Sequence, residues 1–274
     1  RIFRYDTARD RFVMTYKLNG LRDDVTSGTV NCTYMDSNDR IWLCHGDSII
    51  RYDTRAGTTD RIDSPASNDI TAITQTDSTN FFIGTSNGLL QTIEKEGVLE
   101  TVAGTYTDSI CIPVSELYFH QDSKKLFIGT FKEGIIAYGM NTTSTIIADG
   151  PLQNVAIKRI TPFGKRQLLV ATGGRGVYKI DVDSLSARPY ITADYSNYNG
   201  MNGNNINDIY VDGDGRIWMA NYPTGITIRN DRYRSYKWLK HSPGNHSSLA
   251  HNQVHDVVRH GEGDLWFATS NGIS

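Results

Sequence analysis

The sequence has no long hydrophobic run and almost no net charge. No stretch approaches 18 uninterrupted apolar residues, so we expect no transmembrane helix. The 274 residues include 28 Lys and Arg against 30 Asp and Glu, and the formal net charge is −2. Proteins that bind nucleic acid usually carry a basic stripe, so we expect no nucleic-acid partner. The opening "RIFRYD" also lacks the charged start and apolar centre of an export signal.

Cysteine is scarce. Cys32, Cys44 and Cys111 are too few and too scattered for a disulfide framework or a zinc site. Cys32 and Cys44 could face each other across a hairpin closed by "DSNDR". We expect two free thiols there, because directly opposed strand positions rarely offer disulfide geometry. We expect Cys111 to be a small buried side chain.

Helical periodicity is also missing, and a short phrase recurs in its place. "NFFIGTSNGLL" at 80–90 returns nearly unchanged as "DLWFATSNGIS" at 264–274, with relatives between and before them. The bulky anchors of the six copies are Trp42, Phe82, Phe127, Leu169, Trp218 and Trp266. Two residues later each copy has a small residue: Cys44, Gly84, Gly129, Ala171, Ala220 or Ala268. A turn follows, and five of the six copies have a glycine at its end, where the first copy has Ser48.

A second pattern precedes each anchor. Two residues, mostly apolar, lie three positions apart: Val30 and Thr33, Ile70 and Ile73, Val114 and Leu117, Ile157 and Ile160, Ile206 and Ile209, Val254 and Val257. The copies recur every 40 to 49 residues, as the anchor positions show. Self-similarity at this period is typical of a repeat architecture.

Each copy predicts four strands joined by turns, and four antiparallel strands every ~45 residues describe one blade of a β-propeller. The small residue lets neighbouring blades pack face to face, and the anchor fills the gap between them. We therefore predict an all-β propeller, with 1–274 as a single domain of about six four-stranded blades. The predicted blades are approximately 30–63, 70–103, 114–147, 157–192, 206–239, and a composite of 254–274 with 1–18. The alternative is a solenoid of stacked β-repeats.

The last copy carries a further signal, "HSPGNHSSLAHNQVHDVVRHGEGDLWFATSNGIS" at 241–274. It has a Ser-Leu-x-x-Asn lead-in, the spaced aliphatics and an Asn-Gly turn, and Tyr-Asp endings occur at 5–6 and 52–53. The chain resembles the regulator-propeller repeats of bacterial hybrid two-component sensors. The family has a periplasmic region of blades, often two seven-bladed rings, so these blades could belong to a seven-bladed ring or a larger two-propeller region. The resemblance implies a periplasmic location, downstream sensor and kinase domains, and oligosaccharide sensing as in gut Bacteroides-type bacteria.

Polar residues lie between the spaced aliphatics, on the strand that lines the channel of a propeller. The channel-lining candidates are Glu116, Arg159, Asp208 and Asp256. They predict either a hydrated channel with ion pairs between blades, since buried charges are normally paired, or a polar ring that contacts a ligand.

The loops that enter that strand and the Gly turns share one face of a propeller, where repeat scaffolds commonly bind ligands. The ligand-binding candidates on this face are Lys132, Arg175, Tyr195, Tyr198, Asn205 and Tyr222. Aromatic rings and amides suit sugar stacking and hydroxyl recognition. The same composition also suits a plain turn-rich loop.

Metal and catalytic motifs are weak. "DGDGR" at 212–216 lacks the further ligands of a calcium loop and predicts a hairpin turn. Five His between 241 and 260 lie mostly in predicted loops, so we expect no metal and no cofactor. No nucleophile-elbow phrase occurs, and we assign no catalytic residue. The leading hypothesis is a non-catalytic extracytoplasmic sensor segment that binds an oligosaccharide or mediates dimer assembly. The alternatives are a carbohydrate-active lyase or glycosidase on a propeller, and a pure interaction scaffold.

Overall fold

The structure is a computed structural model. It describes residues 2–6, 11–16, 30–102, 110–139, 145–146, 150–194, 200–201, 203–230, 235–260 and 264–274. Within these ranges every regular element is a β-strand, and the strands form seven sheets.

The strands follow one another in chain order within each sheet. A two-stranded sheet contains β1 (Ile2–Asp6) and β2 (Arg11–Tyr16). The next three sheets have four strands each: β3 (Cys32–Met35), β4 (Arg40–His45), β5 (Ser48–Asp53) and β6 (Thr58–Ile62); β7 (Ile70–Gln75), β8 (Asn80–Thr85), β9 (Gly88–Lys95) and β10 (Val98–Thr101); β11 (Val114–His120), β12 (Lys125–Thr130), β13 (Ile135–Gly139) and β14 (Thr145–Ile146).

Two further four-stranded sheets and one three-stranded sheet complete the order. They are β15 (Ile157–Pro162), β16 (Gln167–Thr172), β17 (Val177–Asp181) and β18 (Ala187–Ile191); β19 (Ile206–Val211), β20 (Ile217–Asn221), β21 (Gly225–Asn230) and β22 (Ser235–Leu239); β23 (Val254–His260), β24 (Asp264–Thr269) and β25 (Gly272–Ile273).

The chain divides into two compact units, and the boundary falls within the third of the four-stranded sheets. The first unit comprises 1–128 and 139–144, and the second comprises 129–138 and 145–274. In the first unit the opening strands β3, β7 and β11 contact one another in succession, and in the second unit β15, β19 and β23 do the same. Meander sheets joined through their first strands are propeller blades, so the predicted fold class is confirmed. Because β1 pairs with β2 in a sheet of its own, the composite sixth blade stays a prediction.

The anchor and the small residue pack as the repeat predicts. In the first unit Trp42 is fully buried, and its ring centroid lies 4.7 Å from that of Phe81 on the next sheet. In the second unit Trp218 lies 6.0 Å from Phe267 in the same way. The small residues Ala171 and Ala220 are buried. The last copy differs, because its Ala268 is exposed.

Two anchors are held by the turn that precedes them. Asp36 Oδ2 accepts hydrogen bonds from Trp42 Nε1 at 2.8 Å and Arg40 Nε at 2.6 Å. Asp212 does the same for Trp218 at 2.9 Å and Arg216 at 2.6 Å, so "DGDGR" is the predicted hairpin turn. Burial raises the pKa of each carboxyl, but the hydrogen bonds from tryptophan and arginine outweigh it and leave both pKa values below the ordinary value.

The cysteines follow the sequence prediction in part. Cys32 and Cys44 are directly opposed on β3 and β4, and both are free thiols. A hydrogen bond with Cys44, together with burial, raises the pKa of the Cys32 thiol far above its ordinary value. The prediction that Cys111 is buried was wrong. Cys111 lies in the irregular segment before β11 rather than in a strand, and it is exposed.

Candidate functional site

The turn between the second and third strands of a sheet lies against the loop that leads toward the next sheet. Gly134 has φ of 80°, and a Cβ atom at this position would overlap the carbonyl oxygen of Leu152. Gly176, at φ 77°, meets the carbonyl oxygen of Ile191 in the same way. Glycine is needed at both positions because the backbone is left-handed and there is no room for a side chain. In the second unit, turns and lead-in loops therefore share one face, called the loop face below.

A threonine side chain stabilises most of these turns through hydrogen bonds. Each hydroxyl donates to a glycine carbonyl within the turn and accepts a backbone N–H from the same turn. The four threonines are Thr85, Thr130, Thr172 and Thr269. Such a side chain satisfies turn groups that would otherwise need water or another partner.

The turn after β20 breaks this pattern. Asn221 occupies the threonine position, and its Nδ2 donates to the Gly203 carbonyl at 2.9 Å instead of closing its own turn. Asn221 is 1% exposed, and its Oδ1 has no hydrogen-bond partner among the residues that the structure describes. Within the same described ranges, Thr224 Oγ1 in this turn and Asn205 Oδ1 opposite it are also buried without a partner. A buried polar atom left unpaired costs about 1–3 kcal/mol, so a group that supplies these atoms with hydrogen bonds would stabilise the turn.

Exposed rings and a cation lie in this turn and in the equivalent turns of the two preceding sheets. Tyr222 is 42% exposed, and its backbone N–H donates to the Asn205 carbonyl at 2.9 Å. Phe131 is 45% exposed and follows Thr130 just as Tyr222 follows Asn221. Arg175 is exposed in the turn after β16, and its Nη1 donates to the Pro151 carbonyl at 2.9 Å.

The predicted loop-face residues are thus placed as follows. Arg175, Asn205 and Tyr222 lie in or against the turns after β16 and β20, and Lys132 is exposed in the turn after β12. Tyr195 and Tyr198 lie outside the described residues. Sequence reasoning missed Phe131 and Asn221. Both can be seen when the six copies are aligned at this turn. Phe131 is an aromatic residue directly after the threonine, and Asn221 stands in place of the threonine.

The innermost strands carry a bulge next to the channel-lining positions. The register shifts between Ile157 and Arg159 in β15, between Ile206 and Asp208 in β19, and between Val254 and Asp256 in β23. In the first unit β7 has the same irregularity. A bulge re-aims the side chains around it, so the polar positions keep one orientation from strand to strand.

In the second unit the predicted channel residues form a charged group. Arg159 Nε lies 3.4 Å from Asp208 Oδ1, which agrees with the predicted ion pairs between blades. Asp208 is also in hydrogen-bond contact with Asp256. Burial raises the pKa of Asp208, Arg159 opposes this, Asp256 adds to it, and the pKa stands at about 6. Glu116, in the first unit, is half-buried on β11, and its charge contributes to the raised pKa of Cys32.

Among the described residues no three His, Cys, Asp or Glu side chains converge to hold a metal ion. The histidines near the C-terminus form hydrogen bonds with separate partners. His241 Nδ1 meets the Leu249 carbonyl at 2.7 Å, and His255 Nε2 meets Ser270 Oγ at 2.8 Å. These contacts hold the loops and do not build a zinc site.

A cavity of about 740 Å³ lies beside the 241–250 loop, bounded by Leu239, Leu249 and Phe267. Hydrogen bonds within the segment 241–252 stabilise the loop. The His241 N–H donates to Asn252 Oδ1 at 2.7 Å, and the Ser242 N–H donates to Ser248 Oγ at 2.9 Å. These two groups are therefore already paired within the segment 241–252.

Comparisons with known proteins agree with the geometry. Residues 200–222, which span the lead-in and β19–β20, match the family described as two component regulator propeller. No curated protein sequence matches the chain. Within the described ranges, no helix has the length and apolar character needed to cross a membrane.

Solved structures share the fold. The extracellular domain of the hybrid two component system BT3049 from Bacteroides thetaiotaomicron superposes with a TM-score of 0.71 at 15% identity, over 96% of this chain and 36% of that one. The extracellular domain of BT4673 from the same organism, described both as a one component and as a hybrid two component system, gives 0.57 at 18% identity, over 90% and 38%. The chain therefore spans little more than a third of each neighbour. The resemblance to two-component regulator propellers that the repeats predict is confirmed by the family match at 200–222 and by these neighbours.

Proposed function

We propose that this chain is a non-catalytic segment of the extracytoplasmic, periplasmic sensor region of a hybrid two-component histidine kinase, and that its loop face binds an oligosaccharide. The family match at 200–222 and the similarity to extracellular domains of two-component systems support the sensor role. Kinase and further sensor domains would then lie elsewhere in the full-length protein.

The turn after β20 carries the ligand-binding part of the proposal. It presents Tyr222 to solvent, and a phenol ring face matches the C–H face of a pyranose. In the same turn, Asn221 and Thr224 hold buried polar atoms that have no partner among the described residues. A turn whose polar groups are unsatisfied can rearrange at low cost when a ligand supplies hydroxyl donors. The exposed Phe131 ring and the Arg175 guanidinium give the same face further stacking and hydrogen-bonding groups.

Signal transmission would depend on the unpaired polar atoms of this turn. The sheets are packed through buried anchors, and a ligand that pairs with the polar atoms of the turn after β20 would shift that turn more readily than the sheets. A ligand that favours one arrangement changes the surface that the loop face offers to a neighbouring domain or to a second copy of the chain. A dimer assembled through this face is compatible with that scheme.

The arrangement of Asp208 and Asp256 argues against the alternative function of a glycosidase. Glycosidases place their two carboxyl groups about 5 Å or more apart, so that a glycosidic bond fits between them. Asp208 and Asp256 are in hydrogen-bond contact with each other, which is too close for that arrangement. The pair therefore favours a structural or proton-binding role over glycoside hydrolysis.

The test is calorimetric titration of the purified chain with a panel of plant and host oligosaccharides, with product analysis in parallel. We expect binding without turnover, a loss of affinity of tenfold or more for Tyr222→Ala, and unchanged affinity for Met35→Ala. Met35 is 53% exposed and ends β3 next to the Asp36 turn, so it is a matched surface control. Absence of binding across the panel would refute direct sensing by this segment. Turnover would assign an enzyme, and a dimer broken by Tyr222→Ala without any ligand would assign the face to assembly.

A further inference from the structure

A cavity of about 440 Å³ opens on the β15–β18 sheet of the second unit. It lies by the starts of β16 and β18 and the end of β17, which is the other end of these strands from the turn at 172–176. The lining residues come from this one sheet and from the turn between β17 and β18: Gln167, Lys179, Asp181, Ser184, Ser186 and Arg188. The cavity is therefore separate from the loop face.

Two cations lie directly opposite each other at this cavity. Lys179 on β17 and Arg188 on β18 are partners in the antiparallel register, so the sheet places both side chains on one face. Like charges at directly opposed positions destabilise a sheet. Arg188 is exposed, and within the described part of the chain it has no hydrogen-bond or ion-pair partner. An anion placed between the two cations would replace this repulsion with attraction.

Aromatic rings hold the buried cation of this pair. Lys179 is 9% exposed, and its Nζ lies 3.8 Å from the ring centroid of Tyr190 and 4.5 Å from that of Phe163. Such contacts favour the charged ammonium over the neutral amine. From the next sheet, Arg229 Cζ lies 4.3 Å from the Tyr190 ring centroid, and its Nη1 donates to the Tyr190 carbonyl at 3.2 Å. A third cation therefore lies on this side of the sheet.

The acidic groups beside the cavity are already engaged. Asp181 Oδ1 accepts the N–H of Asp183 at 3.1 Å, and it accepts both the N–H and the hydroxyl of Ser184 at 2.9 Å. Asp183 Oδ1 pairs with Arg166 Nη1 at 2.6 Å. Among the described residues that line the cavity, Asp181 is the one acid against two cations, so the cavity keeps a net positive charge.

We propose that this cavity binds an oxyanion, a sulfate or carboxylate group, between Lys179 and Arg188. The guanidinium of Arg188 presents two parallel N–H donors, which match two oxygens of either group. The Gln167 amide and the Ser186 hydroxyl line the same cavity and can donate to further oxygens. The oxyanion is either a free ion or the acidic group of a sugar, since both present the same oxygens. The proposal does not depend on the ligand proposed for the loop face.

Titration of the purified chain with sodium sulfate tests the proposal, with amide chemical shifts as the readout and the ionic strength held constant by sodium chloride. We expect saturable shifts confined to β17, β18 and the turn between them. Arg188→Gln should weaken sulfate binding tenfold or more, because it removes one cation of the pair. Arg61→Gln should leave it unchanged. Arg61 is also an exposed arginine on the last strand of a four-stranded sheet, but its register partner is the uncharged Ile50, so it is the matched control.

Sodium glucuronate and glucose distinguish the two sources of the oxyanion. Shifts of the same amides by glucuronate and not by glucose assign the acidic group of a sugar, and shifts by sulfate alone assign a free ion. The proposal is overturned if neither anion binds, if glucose shifts these amides equally, or if the shifts do not saturate, spread over the surface or persist in Arg188→Gln. Tyr222→Ala should leave sulfate binding unchanged, and a loss of sulfate binding in this variant would also overturn the proposal.

Discussion

A Cβ atom on Gly84 would lie 2.5 Å from Cγ1 of Val114, a residue of the next sheet along the chain. Gly84 on β8 is the small residue two positions after the anchor Phe82, and β8 contacts β11 directly. The distance explains why the repeat keeps this position small, because any side chain would separate two blades that share buried surface.

The first prediction follows from that contact. Gly84→Ala should lower the free energy of unfolding by about 1–3 kcal/mol, because the added methyl forces the sheets apart. Gly150→Ala is the matched control, since a Cβ there meets nothing within 4 Å, and it should change stability by no more than about 0.5 kcal/mol. Urea unfolding of the two variants measures both values. Equal stabilities would show that the blades can separate without cost.

The second prediction concerns the aspartates beneath the tryptophan anchors. The pKa values of Asp36 and Asp212 are lower in the folded chain than the ordinary value. Both carboxylates therefore stabilise the fold above the ordinary carboxyl pKa of about 3.9, and the stabilisation decreases as the pH falls below it. Asp36→Asn combined with Asp212→Asn should lower stability at pH 7 by roughly 1–3 kcal/mol per site and flatten its dependence on pH between about 4 and 2. Thermal unfolding across this range measures the effect. A double variant with the wild-type pH profile would show that neither carboxylate holds its anchor.

The sequence predicted the repeat well because the repeat is a packing pattern. Bulky anchors, small partners and turn glycines are each required by a contact between neighbouring elements, so their spacing alone indicates blades. Asp36 and Asp212 show the limit of this reasoning. The shared spacing Asp-x-x-x-Arg-x-Trp is visible in the sequence, but only the structure shows that one carboxylate accepts from both other side chains.

The candidate site was less accessible to sequence analysis. Which residue of a bulge faces the channel depends on strand register, and register is not encoded in composition, so the contact of Asp208 with Asp256 could not be foreseen. The role of Asn221 depends on which acceptor its amide finds, and that acceptor, the Gly203 carbonyl, lies 18 residues away. Tyr195 and Tyr198 remain predictions from the sequence.

The third prediction concerns an ion network between two sheets of the first unit. Glu94 on β9 accepts from Arg40 Nη2 at 2.9 Å and also binds Arg51, and both guanidinium groups lie over the Trp42 ring. All three charged side chains are less than one-fifth exposed. Glu94→Gln leaves two largely buried arginines facing a neutral amide and should lower the free energy of unfolding by about 1–3 kcal/mol. Glu100→Gln, which breaks the exposed pair with Lys95, is the control and should cost less than about 1 kcal/mol. Comparable losses in the two variants would contradict the network.

The fourth prediction exchanges the two kinds of turn. The turns at 130–134, 172–176 and 221–225 have the same length, and only the last lacks threonine at its first position. Asn221→Thr should supply the missing hydroxyl, donate to the Gly225 carbonyl, accept the Thr224 N–H and raise the free energy of unfolding by about 0.5–1.5 kcal/mol. Thr172→Asn is the reciprocal variant and should lower it, because it removes both hydrogen bonds of that hydroxyl. If the turn after β20 is kept loose for a ligand, Asn221→Thr should also weaken oligosaccharide binding while it stabilises the fold. Stabilisation without loss of binding would show that this turn takes no part in ligand binding. Destabilisation would show that the hydrogen bond from Asn221 to Gly203 contributes more to stability than the unpaired atoms around it cost.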